Sequence, residues 1–198
     1  MKPSIFILLI AGIFQNLTAQ TNAKGIKLPK RKGDLNCFYK PKYSEAQRNQ
    51  FYPFNIADTI KLISFRYHRH NYPIKGDTLL IDSLIEIKVL SKAEINNLTD
   101  ILYNNFYKKQ RNYGSITQCF FPRNAFLFYD KVGHLREYIL ICFHCSRHEE
   151  SSNKIYFGSN CIQKVEKLQQ FFVSLGIKFG TDKTVDLYPG EISDEEVK

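Results

Sequence analysis

The chain has 198 residues, of which 43% are hydrophobic and 24% are charged. These proportions are ordinary for a globular protein and argue against a fully disordered, collagen-like or coiled-coil chain. The formal net charge is +9, and a basic surface favours anionic partners such as glycans, lipid headgroups or nucleic acid.

Residues 1–19 have the pattern of a signal peptide. Lys2 is followed by an apolar run from Ile5 to Phe14, and the small residue Ala19 stands at a suitable cleavage position. A run of this length is too short to cross a membrane as a helix. We therefore expect an exported protein, periplasmic or secreted, with no transmembrane anchor once the leader is removed. Export also makes nucleic acid an unexpected partner.

The rest of the chain divides by composition into three parts. Residues 20–50 are basic and without periodicity, and predict an irregular lead-in. Residues 51–180 carry the apolar patterns of a single domain, and residues 181–198 form an acidic C-terminal tail.

Two strands are predicted at the start of the domain. Residues 60–67 mix β-branched and aromatic side chains, and Leu84–Val89 alternates. In the second strand we expect the apolar side chains to face the core and the charged ones to face solvent. The apolar set is Ile85, Ile87 and Val89, and the charged set is Glu86 and Lys88.

Two helices are predicted, each with its own signals. Ser91 and Glu94 match a capping box, which predicts a helix over residues 92–106. A last helix would be capped by Ser159 or Asn160 and end before Gly176, which suits the position after a helix C-terminus. Its predicted buried stripe is Ile162, Val165, Leu168, Phe172 and Leu175.

A hairpin is predicted between the helices. Residues 124–129 and 135–143 are apolar strands that flank a turn at residues 130–134, and Tyr138–Phe143 is apolar on both faces, as in a central strand. A short strand is expected at residues 154–157. The order β-β-α-β-β-β-α predicts an α+β domain, with two helices packed on an antiparallel sheet of four to five strands.

The five cysteines are the main candidates for covalent structure. Disulfides are the expected state in an exported protein, and Cys37 is the expected odd residue because it lies alone in the lead-in. The hairpin register places Cys119 beside Cys145, which would leave Cys142 for Cys161. All three pairings of these four remain open at this point.

A second interpretation treats the same cysteines as reactive or metal-binding. Cys142 and Cys145 have C-x-x-C spacing, and with His148 and Cys161 they could hold zinc. The alternative to a disulfide-stabilised domain is therefore an exported metal-binding or thiol-redox protein, in which Cys119 could also take part.

Other clusters carry weaker signals. His68 and His70 share a strand face, and Lys108, Lys109 and Arg111 could contact a phosphate, but we expect both groups to be solvated. The common nucleotide-binding, metalloprotease and hydrolase motifs do not occur. We therefore expect no cofactor, no metal and no catalytic residue. The expected role is a non-enzymatic interaction or cell-envelope function, with an anionic envelope component or a protein as partner.

The second half of the chain resembles a group of small uncharacterised exported bacterial proteins. The resemblance covers residues 50–180 and implies a common domain and extracytoplasmic placement. No activity is known for the group, so the resemblance assigns no functional residue. In that group an acidic residue usually stands at the position of His144, which argues against His144 as a metal ligand. The matching segments are Leu98–Asn104, Cys119-x-x-Pro122-Arg123-Asn124-Ala125, Phe128-x-Asp130, Tyr138-Ile139-x-Ile141-Cys142-Phe143-x-Cys145, Phe157-Gly158 and Cys161.

Overall fold

The computed structural model describes residues 36–67, 74–76, 78–80, 84–109 and 120–182. The helices in these ranges are α1 (Glu45–Arg48), α2 (Lys92–Tyr103) and α3 (Lys164–Ser174). The strands are β1 (Cys37–Tyr39), β2 (Thr59–Phe65), β3 (Ile74–Lys75), β4 (Thr78–Leu79), β5 (Leu84–Val89), β6 (Asn105–Tyr107), β7 (Asn124–Tyr129), β8 (Leu135–Cys142) and β9 (Arg147–Glu150).

A five-stranded antiparallel sheet forms the centre of the fold. Its strand order is β5-β2-β7-β8-β9, and two small pairs, β1–β6 and β3–β4, lie outside it. The predicted α+β class is confirmed. The short helix α1 and the two small strand pairs add to the predicted elements.

Both faces of the sheet bury apolar side chains. On one face α2 and α3 pack against the central strands, and the largest side chains of this core include Phe126, Phe128, Phe143 and Phe172. The opposite face carries a smaller apolar cluster, made of Ile63, Phe65, Ile74, Ala125, Leu127, Leu135 and Leu140. Burial on both faces explains why β7 and the second half of β8 are almost continuously apolar.

Local signals fix several elements where the sequence predicts them. Ser91 and Glu94 form the capping box at the start of α2. That helix ends at Tyr103, three residues earlier than predicted, because Asn104 caps it and β6 follows at once. Gly176 follows α3 with a φ of 87°, a conformation that glycine adopts at low cost.

The hairpin of β7 and β8 has the predicted register. Asn124 pairs with Ile141 and Phe128 with Glu137. The carboxylate of Asp130 accepts hydrogen bonds from the amides of Val132 and His134, which stabilises the turn. The end of β8 is buried on both sides, as its apolar pattern predicts.

The predicted orientation of β5 is wrong. Ile85, Ile87 and Val89 are the exposed side chains of this edge strand, whereas Glu86 and Lys88 point toward the face covered by the helices. Glu86 is held there because its carboxylate accepts hydrogen bonds from Ser64 Oγ (2.6 Å) and from the amide of Phe179 (3.0 Å). These donors come from a neighbouring strand and from a distant segment, which the alternation within β5 does not reveal.

Three other expectations also differ from the fold. The last strand is β9, a polar edge strand at residues 147–150, and not residues 154–157. Helix α3 begins at Lys164, so Ile162 precedes it and is exposed. The described part of the expected lead-in contains β1 and α1. The buried side chain of Arg48 holds α1 to α2, because its Nε donates a hydrogen bond to Thr99 Oγ1 (3.2 Å).

Candidate functional site

A disulfide joins the first strand to the start of the last helix. Cys37 in β1 and Cys161, three residues before α3, form this bond with a Cα–Cα distance of 4.9 Å. It corrects the expectation that Cys37 is unpaired and that Cys142 bonds to Cys161. The reason is the topology of the fold. Strand β1 pairs with β6, the strand that directly follows α2, and α2 packs beside α3, so Cys37 lies next to Cys161.

Polar contacts support the same junction. The side-chain oxygen of Gln163 accepts a hydrogen bond from the amide of Cys37 (2.7 Å), and its amide nitrogen donates to Asn36 Oδ1 (3.1 Å). Gln163 is the N-cap residue of α3. The disulfide is therefore the covalent part of a larger contact between β1 and this helix.

The C-x-x-C pair is not a dithiol. Cys142 is a free, buried thiol whose pKa is raised by burial, and Cys145 is disulfide-bonded. The expected partner of Cys145, Cys119, lies outside the described residues, so that pairing stays a prediction. Because the sulfurs of Cys145 and Cys161 are both in disulfides, neither can act as a thiolate ligand in the proposed zinc set with Cys142 and His148.

A cavity of about 380 Å³ lies between β9 and the start of α3. We call it the β9–α3 cavity. Three of its nine described lining residues carry basic side chains and none is acidic. The lining residues are Arg147, His148 and Lys164, with Phe157, Ile162 and Val165 as apolar walls and with Ser146, Asn160 and Cys161.

Lys164 is the least exposed of the basic residues in this cavity. Its exposed fraction is 1%, and its ammonium group donates hydrogen bonds to the carbonyl oxygens of Leu102 (2.6 Å) and Phe157 (3.2 Å). Burial lowers the pKa of Lys164 to about 7, since desolvation disfavours the charged form. The side chain therefore ties the end of α2 to the segment before α3 and changes charge near neutral pH.

Gly158 makes the close approach of this lysine possible. Its φ is 77°, and a Cβ at this position would lie 2.1 Å from the carbonyl oxygen of Leu102 and 2.8 Å from Lys164 Nζ. Only a residue without a side chain fits such a position. Gly158 thus lets Lys164, which lines the cavity, reach the end of α2.

His148 is held in a fixed orientation on β9. Its ring stacks on Phe157 with a centroid distance of 3.7 Å, and Nε2 lies 3.1 Å from Glu150 Oε1. That contact lowers the pKa of Glu150. The sequence analysis includes His148 in the alternative zinc set, and in the structure its ring forms part of the cavity wall.

A buried carboxylate elsewhere in the fold has a structural role. Glu137 of β8 accepts hydrogen bonds from Tyr52, from Ser151 and from Ser152 Oγ (2.9 Å). Burial alone would raise the pKa of Glu137. The hydrogen bonds from these three hydroxyls have the larger combined effect, so the pKa of Glu137 lies below its ordinary value. The group fastens the segment before β2 and the end of β9 to the central sheet.

The remaining sequence candidates do not converge on the cavity. His68, His70 and Arg111 lie outside the described residues, and Lys108 and Lys109 are exposed beyond β6. Within the described ranges, no group of three or more His, Cys, Asp or Glu side chains is arranged to hold a metal ion. No helix in those ranges is long and apolar enough to span a membrane.

The stability of the protein should depend on the protonation of Lys164. Its pKa is about 7 when folded against an ordinary value of 10.5, so between these values the unfolded chain binds more protons. The free energy of unfolding should therefore rise with pH above 7, by up to about 1.4 kcal/mol per pH unit. Urea denaturation at pH 7 and pH 8.5 measures this rise.

Lys164→Met is the matched control for that measurement. It keeps the aliphatic stem but cannot titrate, so its slope against pH should be smaller than that of the wild-type protein. Its absolute stability should also fall, because two carbonyl groups lose their donor. Equal slopes in the two proteins would contradict a titrating Lys164.

The fold and the cavity together define a small α+β protein with covalent cross-links and a basic cavity at one edge of its sheet. No protein-family model, curated protein or solved structure matches the chain.

Proposed function

We propose that the chain is an exported, disulfide-stabilised and non-enzymatic binding domain, and that the β9–α3 cavity takes an anionic group of its partner. The partner would be an anionic envelope component or a protein that presents such a group. The observation that carries the proposal is the lining of the cavity, which includes the basic residues Arg147, His148 and Lys164 and has no acidic residue among its nine described members.

The surroundings of the cavity favour an anion. Phe157, Ile162 and Val165 supply apolar walls, and charges interact more strongly beside such surfaces than in bulk water. The guanidinium group of Arg147 lies 5.1 Å from the ring centroid of Phe120, which supports it from one side. Arginine in addition presents a planar fork of donors that suits carboxylate, sulfate and phosphate groups.

The arrangement of the sulfurs supports binding over thiol chemistry. A redox role would need a pair of neighbouring thiols with a lowered pKa. Cys142 has a raised pKa, and Cys145 and Cys161 are already in disulfides. The same disulfides favour an oxidising compartment, in agreement with the predicted leader.

Sulfate is the probe that tests the cavity, because its charge does not change near neutral pH. Calorimetric titration should show binding that weakens as ionic strength rises and as the pH rises through 7, where Lys164 loses its proton. Arg147→Ala should weaken sulfate binding on the order of tenfold.

Arg136→Ala is the matched control, since Arg136 lies near the opposite end of β8 and contacts Asp130 (2.6 Å). It should bind sulfate as the wild-type protein does. Absence of binding, or an equal loss in the two variants, would remove the cavity from the proposal. Acetate and inorganic phosphate, tested in parallel, indicate which anionic group the cavity prefers.

A further inference from the structure

The outer strand of the sheet presents an apolar row to solvent. Ile85, Ile87 and Val89 of β5 are 40%, 54% and 54% exposed. Among the described strands, β5 pairs with β2 alone and is an edge of the five-stranded sheet. An edge strand exposes unpaired peptide groups, which can pair with another chain. The exposed face of β5 carries only apolar side chains, because both charged side chains of the strand turn toward the helices.

The backbone of β5 fixes which residues can pair outward. The amide of Leu90 donates to the carbonyl oxygen of Ile60, opposite it (2.9 Å). Because hydrogen-bonded pairs alternate in an antiparallel ladder, Lys88 and Glu86 also bond toward β2. The peptide groups of Val89 and Ile87 consequently point away from the sheet. The register shifts at Ser64 and Phe65, which places Ile85 at a bulge and ends the regular edge there.

We propose that two copies of this chain pair through β5, antiparallel about a two-fold axis at Ile87, and form one continuous ten-stranded sheet. In this register Ile87 faces Ile87 of the second copy, and Ile85 faces Val89. Glu86 and Lys88 then stand opposite each other on both sides of the axis. The strand is thus complementary to itself in charge on one face and in apolar character on the other.

Charge selects this register over its neighbours. The peptide groups of β5 that point away from the sheet must bond to the same kind of group in the second copy. The register between the two strands can therefore shift only by an even number of residues. A shift in one direction places the two Glu86 residues opposite each other, and a shift in the other direction does so for the two Lys88 residues. Like charges directly opposite one another destabilise a strand pair.

Existing contacts are compatible with the second copy. Lys88 lies 3.1 Å from Glu94 and Glu86 accepts from Ser64, both on the side of the helices. The exposed apolar row lies on the other face and is not used by these contacts. A pair of short strands buries little surface, so we expect a reversible dimer that depends on concentration.

Sedimentation of the purified protein over a concentration series tests the association. The wild-type protein should form a dimer, and Ile87→Lys, which places two ammonium groups at the axis, should weaken it on the order of tenfold or more. Val173→Lys is the control, because Val173 lies on α3 with a similar exposed fraction of 45%. Circular dichroism checks that each variant is folded.

Disulfide trapping tests the register itself. Paired residues at the axis would have a Cα–Cα distance of about 5.5 Å, so Ile87→Cys should cross-link on mild oxidation. Two copies of Ile85→Cys would be more than about 13 Å apart and should not cross-link. The native thiol of Cys142 is buried and does not interfere.

A wild-type protein that stays monomeric at all concentrations, or a dimer that Ile87→Lys leaves intact, would overturn the proposal. Cross-linking of Ile85→Cys but not of Ile87→Cys would overturn the register. Occupation of β5 by another segment of the same chain would give a monomer without cross-links, which also counts against it.

Discussion

Replacing both Cys37 and Cys161 with serine should lower the free energy of unfolding by about 2–5 kcal/mol. The bond joins residues separated by 124 positions, and its absence would restore much conformational freedom to the unfolded chain. Strand β1 has only three residues and, among the described strands, pairs with β6, so the disulfide and the hydrogen bonds of Gln163 are what link it to the start of α3. Urea denaturation of the oxidised protein and of the variant measures the difference.

Cys142→Ala is the control for this experiment. Cys142 is buried but forms no disulfide, so the variant loses packing without losing a covalent link, at a cost of about 1 kcal/mol.

The intact mass of the alkylated protein provides a second check. The denatured, unreduced protein should take up one alkyl group, and after reduction it should take up five, one for each cysteine. Uptake of three groups without reductant would contradict the two-disulfide state.

Gly158→Ala should be among the most damaging single substitutions, with an expected loss of about 3–5 kcal/mol. The new Cβ would lie 2.1 Å from the carbonyl oxygen of Leu102, which belongs to the backbone of α2 and cannot move alone. The residue would also adopt a φ of 77°, which is unfavourable for alanine. Lys164 would be displaced from both of its carbonyl partners.

Gly133→Ala separates the two causes. Gly133 has a φ of 84° but open space around its Cα, so alanine there meets the unfavourable φ without the clash. Its expected cost is about 1 kcal/mol. Thermal denaturation of the two variants should show a much larger fall for Gly158→Ala. Similar losses would mean that the segment before α3 moves away from α2 easily.

The elements predicted well from sequence are those specified by neighbouring residues. The Ser91 and Glu94 cap is complete within four positions, and the β7–β8 register follows from a five-residue turn. The predictions fail where contacts between residues far apart in the sequence determine the structure. Glu86 turns inward because donors some ninety positions later reach it, and Cys161 bonds to Cys37 because β1 joins β6.

The candidate site was only partly predictable. His148 is an alternative zinc ligand in the sequence analysis, and in the structure it lines the cavity that we propose as the binding site. Lys164 was missed, although it stands one and two helical turns before Leu168 and Phe172, on the stripe that those residues bury. A lysine in phase with buried apolar residues is the signal that could have found it. The pairing of Gly158 with Leu102 has no such signal, because it joins two separate segments.

The location of Cys142 bears on how the correct sulfur pairs form during oxidative folding. Five cysteines offer many incorrect pairings, and an accessible thiolate would exchange with the bonds already made. Cys142 lies at the end of the central strand β8, buried and with a raised pKa, and both features slow its attack. We expect a sheet that assembles before oxidation to sequester the surplus thiol, so that the chain matures with little need for isomerase.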